Sequence, residues 1–219
     1  MLLELISFKT CPFVQRTLIT LGYKNVAHKI TFIDLANPPA WFLELSPLGK
    51  VPVLKVDGEV IFESAVINEY VDDITGGELQ PKEPLSRAKN RAWIEYASNM
   101  LGTSYMMKMA KDKEGYEKYR AQLVWQMQRI ENQLDDGPWF NGASFSLADT
   151  AFAPIFMHDA VADYRFSVID FESLPKISAW SKRLLATPAV KQSVVEDFEV
   201  IYLDAIEKSG SYCWENSIG

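Results

Sequence analysis

The sequence predicts an α/β amino-terminal half of order β-α-β-α-β-β-α followed by an all-helical bundle. Three observations carry that fold class. Up to about residue 75, short apolar runs of strand length alternate with segments of helical periodicity. The stretch Gly76-Gly77-Glu78-Leu79-Gln80-Pro81-Lys82-Glu83-Pro84 then breaks regular structure through its glycines and prolines and reads as a linker. Beyond it, every apolar pattern has a helical period. The expected organisation is residues 1–76, a linker over 77–85, and a helical unit over 86–219.

The elements follow in order. Leu2-Leu3-Glu4-Leu5-Ile6 reads as a strand over 2–7, and the helix after it opens on Pro12, a residue favoured at the first helical position. That helix is expected over 12–21, with Gly22 at the position that ends it. Residues 26–34 alternate as a strand, with Val26, His28, Ile30 and Phe32 on one face. A short helix over 41–45 precedes two apolar runs, 51–56 and 59–62, whose Asp57-Gly58 junction is a strong hairpin signal. A helix opening at Ser64 carries Ile67, Tyr70 and Val71 toward Gly76. In the second half, helical spacing predicts helices over 86–109, 116–134, 147–162, 174–185 and 190–206. Ser146-Leu147-Ala148-Asp149 has the pattern of a capping box, and Pro154 predicts a kink or a shortened first segment in the helix that follows. Met100, Met106, Met107 and Met109 are read as core filling.

Composition bounds the function. The 219 residues are 48% hydrophobic, ordinary for a globular protein, and the net charge of −7 argues against nucleic acid or an anionic membrane surface as the main partner. No apolar run approaches the ~20 residues of a membrane span. The start Met1-Leu2-Leu3-Glu4-Leu5 has neither a basic region nor a small-residue cleavage site, so a cytoplasmic location is expected. Two cysteines, Cys11 and Cys213, are too few for a disulfide scaffold or a zinc site and suit a reducing compartment. His28 and His158 lack partners at metal-ligand spacing, so both are read as structural and no metal is expected.

The chemistry concentrates at Cys11. It stands where the first strand gives way to the helix opened by Pro12, which makes it the N-cap with the first-turn amides aimed at its sulfur. Those dipoles, with Arg16 one turn on, are expected to lower the thiol pKa and make it a nucleophile. Val51-Pro52 is a plausible cis peptide whose valine backbone turns outward to pair with an extended peptide. Glu63-Ser64 opens a helix whose hydroxyl and amides suit a carboxylate, while the Glu63 carboxylate suits an ammonium group. Together these fit an amino-acid head.

Those segments give the chain a close resemblance to the cytosolic glutathione transferase superfamily, in its cysteine-type, omega-like branch. The residues that carry it are Thr10-Cys11-Pro12-Phe13-Val14-Gln15-Arg16, Trp41-Phe42, Ser46-Pro47-Leu48-Gly49-Lys50-Val51-Pro52-Val53-Leu54, Glu63-Ser64 and the box at 146–149, in that order across almost the whole chain. The resemblance implies a thioredoxin-like domain that holds glutathione as co-substrate and a helical domain that supplies the second-substrate pocket. It implies that Cys11 forms a mixed disulfide with glutathione, that Val51 at Pro52 pairs with the cysteinyl backbone, and that Glu63 and Ser64 hold the γ-glutamyl end. Phe13 would flank the sulfur. The omega-like pattern often carries a lysine where Pro38 stands here, so Lys50 is the substitute partner for the glycyl carboxylate.

The resemblance also implies a homodimer. Three functions follow from it. The first is a glutathione-dependent thiol transferase or reductase, acting on glutathionylated substrates, dehydroascorbate or glutathionyl adducts. The second is conjugation of glutathione to electrophiles, and the third a non-catalytic binding module. Val14 stands where Cys-x-x-Cys oxidoreductases carry a resolving cysteine, so a second glutathione must resolve the mixed disulfide. Thr10 and Ser7 are read as structural or auxiliary hydroxyls. Tyr105, Met106, Met109, His158 and Tyr164 are candidate linings of the second pocket, and Cys213 is expected in a loosely held tail.

Overall fold

The computed structural model describes residues 1–166 and 169–216, the side chains of 163–166 excepted. Its amino-terminal half is one four-stranded sheet, built from β1 (Leu3–Ser7), β2 (Lys29–Phe32), β3 (Val53–Val56) and β4 (Glu59–Phe62), in the order β2-β1-β3-β4. β1 pairs parallel with β2 and antiparallel with β3, and β3 turns back on β4 through Asp57-Gly58. The parallel pair needs a crossover, which is α1 (Pro12–Tyr23). Helices α2 (Ala40–Leu45) and α3 (Ser64–Asp73) complete the β-α-β-α-β-β-α order and the thioredoxin-like arrangement. Leu3, Leu5, Val53, Leu54, Ile67 and Val71 close its core.

Two corrections concern element ends. Helix α1 runs past Gly22, and Asn25, with φ 53°, takes the left-handed position that ends it. Its amide bonds the Gly22 carbonyl, and the next amide, of Val26, bonds that of Leu21, so a Schellman motif satisfies the last carbonyls. The strand expected over 26–34 is confined to Lys29–Phe32, because Val26 is committed to that helix end.

The second half contains α4 (Pro84–Lys108), α5 (Lys113–Gln133), α6 (Leu147–Phe166), α7 (Pro175–Ala186), α8 (Pro188–Lys191), α9 (Phe198–Lys208) and α10 (Tyr212–Glu215). Helix α4 starts two residues ahead of its expected beginning because the Glu83 carboxylate caps it, accepting from the Leu85 and Ser86 amides. The single helix expected over 190–206 is two, α8 and α9. At the break, Ser193 Oγ donates to the Val190 carbonyl at 2.6 Å and accepts from Gln15, so a side chain takes over from the helical ladder. Helix α6 runs unbroken through Pro154, where a shortened segment was the alternative. The tail is held: Ser211 caps α10, and Cys213 is buried with its thiol donating to the Lys108 carbonyl at 3.4 Å. Met100 and Met107 are core, whereas Met106 is exposed.

Helix α6 is apolar around its circumference, as a helix enclosed by others must be: Ala148, Ala151, Phe152, Ala153, Ile155 and Phe156 are all buried. It packs on α4, α7 and, across the boundary between the halves, on α1. Its start is fixed by the expected box. Asp149 accepts four hydrogen bonds, from Ser146 N and Oγ, from Phe140 N and from Trp180 Nε1, all between 2.8 and 3.0 Å. Burial pushes this carboxyl above its ordinary pKa, and those four donors offset only part of the rise. Because Asp149→Ala leaves the Phe140, Ser146 and Trp180 N–H groups buried and unpaired, it is expected to lower stability by about 3 kcal/mol or more. Urea unfolding checks this; a loss below about 1 kcal/mol refutes it.

Candidate active site at the amino-terminal end of helix α1

Cys11 is the N-cap of α1, with extended backbone (φ −77°, ψ 118°) and Pro12 in the first turn. Its amide bonds the Phe8 carbonyl and its carbonyl accepts from Gln15, so the residue is held at the strand-to-helix junction. Sγ lies 3.9 Å from the Val51 carbonyl oxygen. The Val51-Pro52 peptide is cis, as the sequence suggests. The preceding turn is locked by Ser46, whose Oγ accepts from the Lys50 amide and donates to the Lys50 carbonyl, both at 2.9 Å. Gly49 takes φ +61° there, which glycine adopts without strain.

Phe13, Lys50, Val51, Pro52, Glu63 and Ser64 line one cleft of about 210 Å³. The structure thus brings together all six residues that the sequence singled out beside Cys11. Ser64 is buried at the start of α3, while Glu63 and Lys50 are exposed at the rim. Glu63 has φ +68°, a conformation that costs a non-glycine residue about 1–3 kcal/mol and tends to mark functional sites. Ser46, Leu48 and Phe62 complete the walls; they stand in or beside the sequence motifs without a role assigned to them, and Leu48 and Phe62 are exposed hydrophobics, a property that the sequence does not show.

The electrostatics of Cys11 differ from the expectation. Burial pushes the thiol above its ordinary value, and the Val14 and Phe13 amides and the Arg16 charge offset only part of this. The dipoles act as the sequence implies, but desolvation outweighs them. Arg16 is itself buried: Nε donates to the Ala151 carbonyl at 3.2 Å, Nη1 to Ser98 Oγ at 2.9 Å, and the guanidinium lies 5.1 Å from the Phe13 ring centroid. Burial lowers its pKa to about 10, which leaves it cationic at neutral pH.

Of the candidates for a second pocket, His158 is buried and lines a further cavity that also reaches Cys11. Tyr105 and Met106 are exposed on α4, outside the cleft and that cavity. Met109 packs against the helical core, and the Tyr164 side chain lies outside the described residues.

The family model for the glutathione S-transferase N-terminal domain matches residues 10–74, and that for the glutathione S-transferase C-terminal domain matches residues 95–188. Glutathione S-transferase omega-1 of Sus scrofa is 28% identical over 89% of this chain and 81% of its own length. Glutathione S-transferase DHAR3, chloroplastic, of Arabidopsis thaliana is 31% identical over 87% of this chain and 71% of its own. Glutathione transferase Omega 3C from Trametes versicolor superposes with a TM-score of 0.80 at 24% identity, covering 90% of each chain.

The raised Cys11 thiol sets a pH dependence. A thiol titrating above its ordinary range gains thiolate about tenfold per pH unit between roughly pH 7 and 9. Iodoacetamide alkylation of Cys11 in the folded protein is therefore expected to climb throughout that range. A plateau already reached at pH 7 would mean that the helix amides outweigh burial.

Proposed function

The chain belongs to the glutathione S-transferase family, and from that membership we propose that it works as a glutathione-dependent thiol transferase or reductase with Cys11 as its nucleophile. The observation that carries this reading is Cys11 at the helix terminus, 3.9 Å from the carbonyl of Val51, which lines the cleft together with Glu63 and Ser64. Relatives named omega and DHAR support the same reading.

The cleft suits glutathione on chemical grounds. Ser64, buried at the start of α3, offers a hydroxyl and helix amides to the γ-glutamyl carboxylate, and exposed Glu63 offers a carboxylate to its ammonium group. Lys50 stands at the rim for the glycyl carboxylate. In the reaction, the Cys11 thiolate attacks the glutathione sulfur of a mixed disulfide. The Cys11–glutathione bond forms, the original disulfide bond breaks, and the substrate thiolate leaves with the electron pair. Val14 provides no second thiol, and Cys213 is buried in the helical core. A glutathione thiolate therefore attacks the Cys11 disulfide, releasing oxidised glutathione and restoring the Cys11 thiolate.

Exposed Phe62 and Val66 beside the cleft, with Leu85, Val124 and Trp125 on α4 and α5, support a homodimer in which each amino-terminal half meets its partner's helical half. Light scattering across a dilution series is expected to return twice the chain mass; a monomer at micromolar concentration refutes it. Both cysteines are free thiols, which agrees with a reducing, cytoplasmic setting.

The test of the reaction is Cys11→Ala. It is expected to abolish reduction of a glutathionylated peptide while calorimetry with glutathione retains binding, because the N-cap sulfur supplies the nucleophile and the cleft supplies affinity. Full turnover by the folded variant rejects Cys11 as the nucleophile. Loss of glutathione binding in Ser64→Ala but not in Cys11→Ala assigns recognition to the cleft.

A further inference from the structure

The cavity that Cys11 and His158 line has a volume of about 230 Å³ and shares no lining residue with the Pro52 cleft. A molecule that reaches the Cys11 sulfur from this side therefore meets different side chains from one held in the cleft. Lys9, two residues ahead of Cys11, is in the lining, and no carboxylate is among the described residues there. Val194, Val195 and Phe198 add a wall from the connection into α9.

An ion pair joins the Cys11 segment to that wall. Lys9 Nζ lies 3.4 Å from Asp197 Oδ2, and the two side chains are 45% and 54% exposed, so both remain open to a competing charge. Asp197 occupies the N-cap of α9, where an aspartate ordinarily accepts from the amides two and three residues on, here those of Glu199 and Val200. Its side chain makes no such bond. The carboxylate is thus diverted from its own helix to the lysine near the nucleophile. A helix cap is worth at least as much as an exposed ion pair, so a group that competes for Lys9 releases Asp197 into a contact that replaces the one it loses.

We propose that Lys9 is a specificity-determining residue for thiol–disulfide exchange at Cys11, selecting partners that carry a carboxylate, with Asp197 as the internal group they displace. This rests on the reading of Cys11 as the nucleophile. The partner's carboxylate takes the Lys9 ammonium, Asp197 turns to cap α9, and the partner's sulfur is held beside Cys11. The Cys11 thiolate then attacks one sulfur of a partner disulfide. The bond to Cys11 forms, the partner's disulfide bond breaks, and its other half leaves as a thiolate with the electron pair. Glutathione, as the resolving thiol, carries two carboxylates and belongs to the same class. The cation whose charge acts on the Cys11 thiol is Arg16, so Lys9 works on the charge of the partner and not on the nucleophile.

Three disulfides of similar size separate charge from reactivity: dithiodipropionate is anionic, hydroxyethyl disulfide neutral and cystamine cationic. Formation of the mixed disulfide on Cys11 is followed by mass spectrometry, and each rate is divided by that of the neutral reagent. In Lys9→Met the dithiodipropionate ratio is expected to fall about threefold to fivefold, the effect of one exposed charge contact, and the cystamine ratio to rise. Asp197→Asn keeps a good N-cap residue and loses the competing charge, so there the dithiodipropionate ratio is expected to rise by a similar factor. Sodium chloride at about 0.5 M is expected to shrink the difference between wild type and Lys9→Met. Lys9→Gln replaces Lys9→Met if the latter does not fold. A dithiodipropionate ratio unchanged in either folded variant overturns the assignment, as does an equal loss of rate with all three reagents. The ratios are read on Cys11 without glutathione, so a failure of charge selection is a separate result from turnover that survives in Cys11→Ala.

Discussion

A buried guanidinium ties the amino-terminal half to the helical one. Arg16 belongs to α1, yet its Nε donates to the Ala151 carbonyl in α6 and its Nη1 to the Ser98 hydroxyl in α4, while Nη2 is buried without a hydrogen-bond partner among the described residues. An interior cation is tolerated only where hydrogen bonds replace its lost water, so sliding α1 along the bundle would leave a charge without partners. The aromatic face of Phe13 covers the same group from the side of the cleft. Since Cys11 lies little more than one turn from Arg16, the constraint that fixes the helix also fixes the sulfur relative to the Val51 carbonyl.

Helix amides and burial compete at Cys11. The sequence makes the amides legible, because a strand, a cysteine and Pro12 in succession define an N-cap. It does not make burial legible, because the groups that enclose the sulfur come from elsewhere in the chain. The same division runs through the rest of the molecule. The strand and helix order, the Asp57-Gly58 hairpin and the box at Ser146 and Asp149 are local patterns, and each was readable. The cleft was readable as well, since its residues occur in three short motifs.

What the sequence concealed depends on partners distant along the chain. Asn25 rather than Gly22 ends α1, because Gly22 lies within the helix, beside Ala189 of α8. The apolar spacing over 190–206 is continuous, but Ser193 meets Gln15 and the helix divides. The last residues look loose in isolation. In the fold, the Tyr212 amide bonds the Ala110 carbonyl at 2.7 Å and Cys213 closes against the end of α4. The cavity that His158 and Cys11 line draws on four separate segments, so no single motif announces it.

The burial of His158 makes acidification costly. Enclosed by the Phe198 and Tyr202 rings and near the Lys108 charge, His158 has its pKa lowered to about 3, burial being the largest cause. The unfolded chain, by contrast, protonates this imidazole near its ordinary 6.5. Between those two values the unfolded state binds a proton that the folded state refuses, so this group's contribution to stability is full above pH 6.5 and declines as the pH falls toward 3. The decline is about 1.4 kcal/mol per pH unit once the unfolded histidine is protonated. The residue that helps anchor α1 to the bundle thus also makes the fold as a whole sensitive to mild acid.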